Sequence, residues 1–198
     1  MRSSDDITKF LPNFKYRDPD GTVRPPLDLV VRGSVIRVEP GAGFVNLPET
    51  LHGEDRETDV AKVAYDDPTA DFRTVHLVVK AMEEIGDSEQ VAPTELRVGV
   101  VHYRPIDLAA LTRGLKAADS FVFFLYDGSP VFDPGVWAIA ANANLLTQVG
   151  TEGRLSLPGL DTKVTKGVLR KDSTLAQLKE FAAKPDQIRP TPKARGLA

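Results

Sequence analysis

Two stretches of apolar–polar alternation constrain this chain more than any other feature. In 75–85, Val75, Leu77 and Val79 alternate with His76 and Lys80; in 96–103, Leu96, Val98 and Val100 alternate with Arg97 and Gly99. A period of two sends every second side chain to the same face, so each segment predicts a strand with one face in a core. Two further segments are apolar without alternating. Segment 27–38 carries Leu29, Val30, Val31, Val35, Ile36 and Val38 around Gly33, and a glycine inside a strand marks a bulge or bend. Segment 121–126 reads Phe-Val-Phe-Phe-Leu-Tyr, which predicts a central strand covered on both sides.

Shorter elements fill the intervals. Glu39-Pro40-Gly41-Ala42-Gly43 predicts a turn after the first strand, and Asp127-Gly128-Ser129-Pro130 another after 121–126. Residues 105–114 predict a short helix, with Asp107 as N-cap, Leu108 and Leu111 sharing a face, and Gly114 as the C-terminal stop. Strands are expected at 136–140 and 154–157, and a brief one around Val60, Val63 and Tyr65 within an otherwise irregular 44–72 segment. Residues 174–184 predict a second helix. Thr174 and Gln177 have capping-box spacing, and Leu175, Leu178, Phe181 and Ala182 form one stripe.

The order strand, strand, strand, short helix, strand, strand predicts a mainly β, OB-like barrel of five or six strands, with a helix between the third and fourth and another at the C-terminus. Residues 1–26 read as an N-terminal arm whose aromatics pack across a barrel edge, 27–160 as the barrel, 161–185 as a helical extension and 186–198 as a disordered tail.

Several features resemble a group of uncharacterised, often exported actinobacterial β-barrel proteins. They are the Val31-Arg32-Gly33-Ser34-Val35 segment running to Val38-Glu39-Pro40-Gly41, the 75–85 strand, and the 121–126 strand before Gly135-Val136-Trp137. The resemblance implies a barrel associated with the cell envelope and an export leader. Met1 to Asp6 is polar and lacks the apolar h-region of a signal peptide. It supplies no functional residues.

Composition narrows the chemistry. With no cysteine among 198 residues, disulfides, thiolate metal sites and cysteine nucleophiles are excluded. The 25 Lys and Arg nearly balance 28 Asp and Glu, so the chain has no long-range pull towards nucleic acid or anionic lipid. No apolar run has the ~18 residues that a membrane-spanning helix needs.

No catalytic motif emerges. His52, His76 and His102 lack metal-ligand spacing, and a pair of His76 and His102 would require a favourable register between the second and third strands. No serine lies in a G-x-S-x-G or S-x-x-K pattern, and Gly41-Ala42-Gly43 precedes no helix. The acidic groups Glu54, Asp55, Glu57, Asp59 and Asp66, Asp67, Asp71 lack the EF-hand pattern and read as solvated loop. Trp137 reads as a core residue.

The sequence therefore favours a non-enzymatic binding or interaction module that needs no cofactor or metal. Arg32, His76, Lys80, Arg97 and Tyr103 are the candidate binding residues, on a face flanked by the 44–72 segment and the arm. A protein partner or a second copy is expected ahead of nucleic acid. Two alternatives stay open: a hydrolase using carboxylates or a metal held by histidine, and a single-stranded nucleic-acid binder using the sparse stripe of Lys80, Arg97, Tyr103, Arg32, Arg37 and Arg104.

Overall fold

The computed structural model describes residues 10–47, 60–87, 92–129, 132–140, 146–156 and 173–191. The chain is mainly β. Its strands are β1 (Phe14–Arg17), β2 (Val23–Arg24), β3 (Leu29–Asn46), β4 (Val60–Val63), β5 (Phe72–Glu84), β6 (Glu95–His102), β7 (Ser120–Asp127), β8 (Val136–Ile139), β9 (Thr147–Val149), β10 (Leu155–Ser156) and β11 (Gln187–Pro190). Helix α1 (Leu108–Lys116) lies between β6 and β7, and α2 (Leu175–Ala182) precedes β11.

Eight strands form one sheet in the order β10-β9-β7-β8-β6-β5-β3-β4, and β7 also pairs with β3. The pairings β3–β5, β5–β6, β6–β8, β8–β7 and β7–β3 thus return to their starting strand, all antiparallel except β6–β8. Along one edge β3 meets β5; along the other it meets β7 over residues 29–33 and β4 over residues 43–46.

The expected turn at 39–43 does not form. β3 runs through it for a total of 18 residues, with one extra residue between Pro40 and Gly43 bulging against β5. Pro40 and Gly41 signal a bulge here as readily as a turn, because both conformations tolerate a missing ladder hydrogen bond. The Ala42 N–H bonds to the Thr74 hydroxyl at 2.9 Å, and a Cβ on Gly41 would lie 2.3 Å from that oxygen. The irregularity expected at Gly33 is present. The β3–β5 register shifts between Arg32 and Gly33, where a Cβ would meet the Lys80 carbonyl at 2.7 Å.

Alternation along β7 divides the interior between two cores. Phe121, Phe123 and Leu125 join Leu29, Val31, Val35, Leu77, Val79, Leu96, Val98 and Ile139 in one. Val122 and Phe124 join Val30, Ile85, Leu11 and the α2 residues Leu175, Leu178 and Ala182 in the other. This explains why 121–125 is apolar throughout, while Tyr126 is exposed. Trp137 is partly exposed and packs on the first core.

Helix α1 begins at its Asp107 cap, which accepts from the Ala109 and Ala110 N–H groups. It runs through Gly114 and ends at Ala117, because Leu115, which continues the stripe of Leu108 and Leu111, packs on the first core. Thr174 and Gln177 form the expected capping box on α2. The segment 187–190 is more ordered than expected. β1 pairs antiparallel with β2 and parallel with β11, so 187–190 is strand where an unstructured tail was anticipated. Parallel pairing leaves no periodic signature in four exposed residues. The arm packs into the second core through Leu11 and is fastened to α2 by Asn13, which donates to the Phe181 carbonyl at 2.9 Å.

Replacing fully buried Leu178 with alanine is expected to lower unfolding free energy by about 2–5 kcal/mol, the range for a large side chain removed from a packed core. Urea denaturation of both proteins measures it. A change under about 0.5 kcal/mol, the scale of ordinary surface substitutions, would show that α2 is not part of the core.

Candidate functional site

The two-residue alternation of β5 points Val75, Leu77 and Val79 inward and places Phe72, Thr74, His76, Val78 and Lys80 on the opposite face. The ladder with β6 sets His76 opposite Gly99 and Val78 opposite Arg97, while β3 sets Glu39 opposite His76. On this face a recess of about 160 Å³ is lined by Ala42, Phe44, Lys62, Thr74, His76, Phe132 and Asp133.

Each wall has a local cause. Phe132, from the segment between β7 and β8, lies over Gly99, where a Cβ would come within 2.5 Å of its ring. The ring also meets His76 edge-on at 6.4 Å between centroids. Phe44 lies opposite Lys62 on β4 and stacks on Phe72 with centroids 5.0 Å apart. Lys62 reaches over to Asp133 and donates at 2.7 Å. Arg97 crosses β5 to reach Glu39, which also accepts from Arg37 at 2.7 Å.

His76 is the unusual group. It is only 5% exposed, and among the described residues neither ring nitrogen has a hydrogen-bond partner. Burial, then the Arg97 charge, push its pKa below the ordinary value, outweighing Asp133 and Glu39, which act the other way. The imidazole is therefore neutral at neutral pH, with one donor and one acceptor to satisfy. Leaving such a group unpaired costs about 1–3 kcal/mol. Its neighbours are committed. The Thr74 hydroxyl accepts from the Ala42 N–H and donates to the Ala42 carbonyl. The bond from Lys62 holds the Asp133 carboxyl below its ordinary range, and bonds from Arg97 and Arg37 do the same for Glu39.

The five residues singled out from sequence do not form one cluster. His76, Lys80, Arg97 and Tyr103 occupy this face, with Lys80 about 13 Å from His76 along the strand. Tyr103 is 74% exposed and its ring lies 6.1 Å from that of Phe72. Arg32 lies elsewhere. It bonds the Ser120 hydroxyl at 2.9 Å and Glu83 at 3.2 Å, and Glu83 also takes Lys179 of α2.

A pairing of His76 with His102 is ruled out by register. His102 lies opposite Arg73, three positions from His76, which puts the two imidazoles on opposite faces. His102 is instead bonded to the Arg104 carbonyl at 2.7 Å and meets the Tyr65 hydroxyl at 3.3 Å. His52 and the 54–59 acidic run lie outside the described residues. Asp67 accepts from Thr69 within its own loop, and Asp71 accepts from the Asn46 N–H of β3. Arg73 ties that loop down by donating to the Tyr65, Asp67 and Ala70 carbonyls. Among the described residues no three His, Asp or Glu side chains converge on a metal position.

Sequence reasoning missed Lys62, Thr74, Phe44, Phe132 and Asp133. The available signal was Gly99, the one position of an alternating strand with no side chain, which leaves room for another segment to settle there. No family model, curated protein or solved structure matches the chain.

NMR titration of the His76 ring is expected to give a midpoint below about 6.5, the value of an unperturbed histidine. The unfolded chain then takes up this proton first, so the contribution of His76 to stability is complete above pH ~6.5 and is lost as pH falls towards the folded midpoint. A midpoint at or above 6.5 would contradict the buried, neutral assignment.

Proposed function

We propose that this chain is a binding module on an OB-like five-stranded barrel, and that the His76 recess is its ligand site. Two features support the barrel reading. The pairing circuit runs β3-β5-β6-β8-β7 and back, and α1 lies between its third and fourth strands in chain order. OB-folds bind ligands on the face of their second and third strands, between the loops joining strands one to two and four to five. In that scheme β5 and β6 are the second and third strands, Lys62 lies in the first of those loops, and Phe132 and Asp133 lie in the second.

The observation that carries the functional reading is the buried, unpartnered imidazole in an open recess. A ligand that supplies its hydrogen bond recovers the desolvation already incurred there. Binding is favoured over catalysis because the nearest hydroxyl, on Thr74, is occupied by Ala42, and Asp133, held by Lys62, is a weak base. A strand of nucleic acid is disfavoured because Lys62, Arg37 and Arg97 are each paired with a carboxylate, leaving little net positive field along the groove. The resemblance to exported proteins makes the cell envelope the proposed setting.

A screen of the full chain against a chemically mixed fragment library, read by NMR shifts, tests the site. Fragments should perturb His76, Thr74 and Gly99 together, and Phe132→Ala should abolish the effect while leaving the unfolding free energy from urea denaturation within about 1 kcal/mol of wild type. Perturbations clustered away from β5 and β6, or none, would sink the assignment.

A further inference from the structure

The recess opens onto a row of aromatic rings. Phe44, Phe72 and Tyr103 stand on the adjoining strands β3 and β5 and just beyond the end of β6. Their centroids are 5.0 and 6.1 Å apart; Phe44 and Phe72 are half-buried and Tyr103 is 74% exposed. A row that begins in a recess and ends on an open ring suits an extended ligand anchored at one end.

Charge decides what kind of ligand. Every charged side chain lining the recess or its walls is matched: Lys62 by Asp133, Arg97 by Glu39, and Arg37 by Glu39 and Glu95. His76 adds no charge at neutral pH. An anionic chain would have to break these pairs to find a cation, and a cationic one would meet the guanidinium of Arg97 beside the imidazole.

The polar equipment of the recess is mixed: an ammonium donor, a carboxylate acceptor, and one donor and one acceptor from the imidazole. A purely aromatic ligand would satisfy none of these. A volume of about 160 Å³ is close to that of a closed cavity that holds benzene, about 150 Å³, so the recess takes no more than one ring of a ligand and leaves its further units outside.

We propose that this face binds an uncharged oligosaccharide, one sugar ring entering the recess between Phe44 and Phe132 and the next units lying along Phe72 and Tyr103. Hydroxyls around the anchored ring take the His76 nitrogen and the exposed edges of the Lys62–Asp133 pair, while the C–H faces of the sugars rest on the aromatic rings. This rests on the recess being a ligand site and adds the class of ligand.

Calorimetric titration of the full chain with neutral hexasaccharides tests it, using gluco-, manno-, galacto-, xylo- and N-acetylglucosamine series, with a thymidine oligonucleotide as the contrasting arm. At least one series should bind saturably and shift His76 and Thr74 in NMR spectra, and its monosaccharide should bind about tenfold more weakly, or worse. Tyr103→Ala removes an exposed ring with little risk to folding and should weaken the hexasaccharide about tenfold while leaving the monosaccharide unchanged. Failure of every series, or salt-sensitive binding of the oligonucleotide at this face instead, would overturn the proposal. If saccharides fail while fragments still perturb His76, only the ligand class is wrong; if both fail, the site falls as well.

Discussion

The whole architecture depends on β3 being hydrogen-bonded along both of its edges. At Val31 it faces Glu84 of β5 on one side and Phe123 of β7 on the other. A strand paired on one edge only would leave the sheet open and its inner face, with Leu29, Val31 and Val35, exposed to solvent. To reach both partners, β3 must bend, and it does so at the register shifts near Gly33, Val35 and Pro40. Gly33 and Gly41 are needed there for space, since β5 backbone oxygens lie within 3 Å of where their side chains would begin.

β7 extends the consequence outward. Its inward residues complete the core that the circuit encloses, while Val122 and Phe124 create an outer apolar surface that needs a cover. Helix α2 and the residue Leu11 supply it, and Glu83, held by Arg32 and Lys179, fixes the helix against the end of β5. The parallel pairing of β1 with β11 accompanies that docking, with Phe14–Arg17 and Gln187–Pro190 lying side by side. Arg32 thus acts in structure, away from the recess. On the β5–β6 face, Gly99 leaves room for Phe132 of the segment between β7 and β8.

The parts of the fold legible in the sequence were those with a repeated signal. Alternation revealed β5 and β6, apolar density revealed β7 and the first part of β3, and capping residues marked both helix starts. Strands β1, β2, β9 and β11, of two to four residues, are too short for a period and are held by their partners. Pro40-Gly41 was ambiguous in principle, as a bulge and a turn ask the same of the backbone. The recess was largely illegible because its rim joins Lys62 to Asp133 across 71 residues of chain. His76, Arg97 and Tyr103 could be placed on one face by counting; that His76 would be buried there without a hydrogen-bond partner among the described residues could not.

Native-state hydrogen exchange measures the central claim most directly. If β3 is bonded on both edges, the amides of residues 30–33 and of their β7 partners 121–124 should exchange only through global unfolding, as slowly as those between β5 and β6. Exchange of the β3–β7 amides at the rate of a free sheet edge, with β5–β6 still protected, would mean that the circuit is open and that neither the enclosed core nor the recess exists as described.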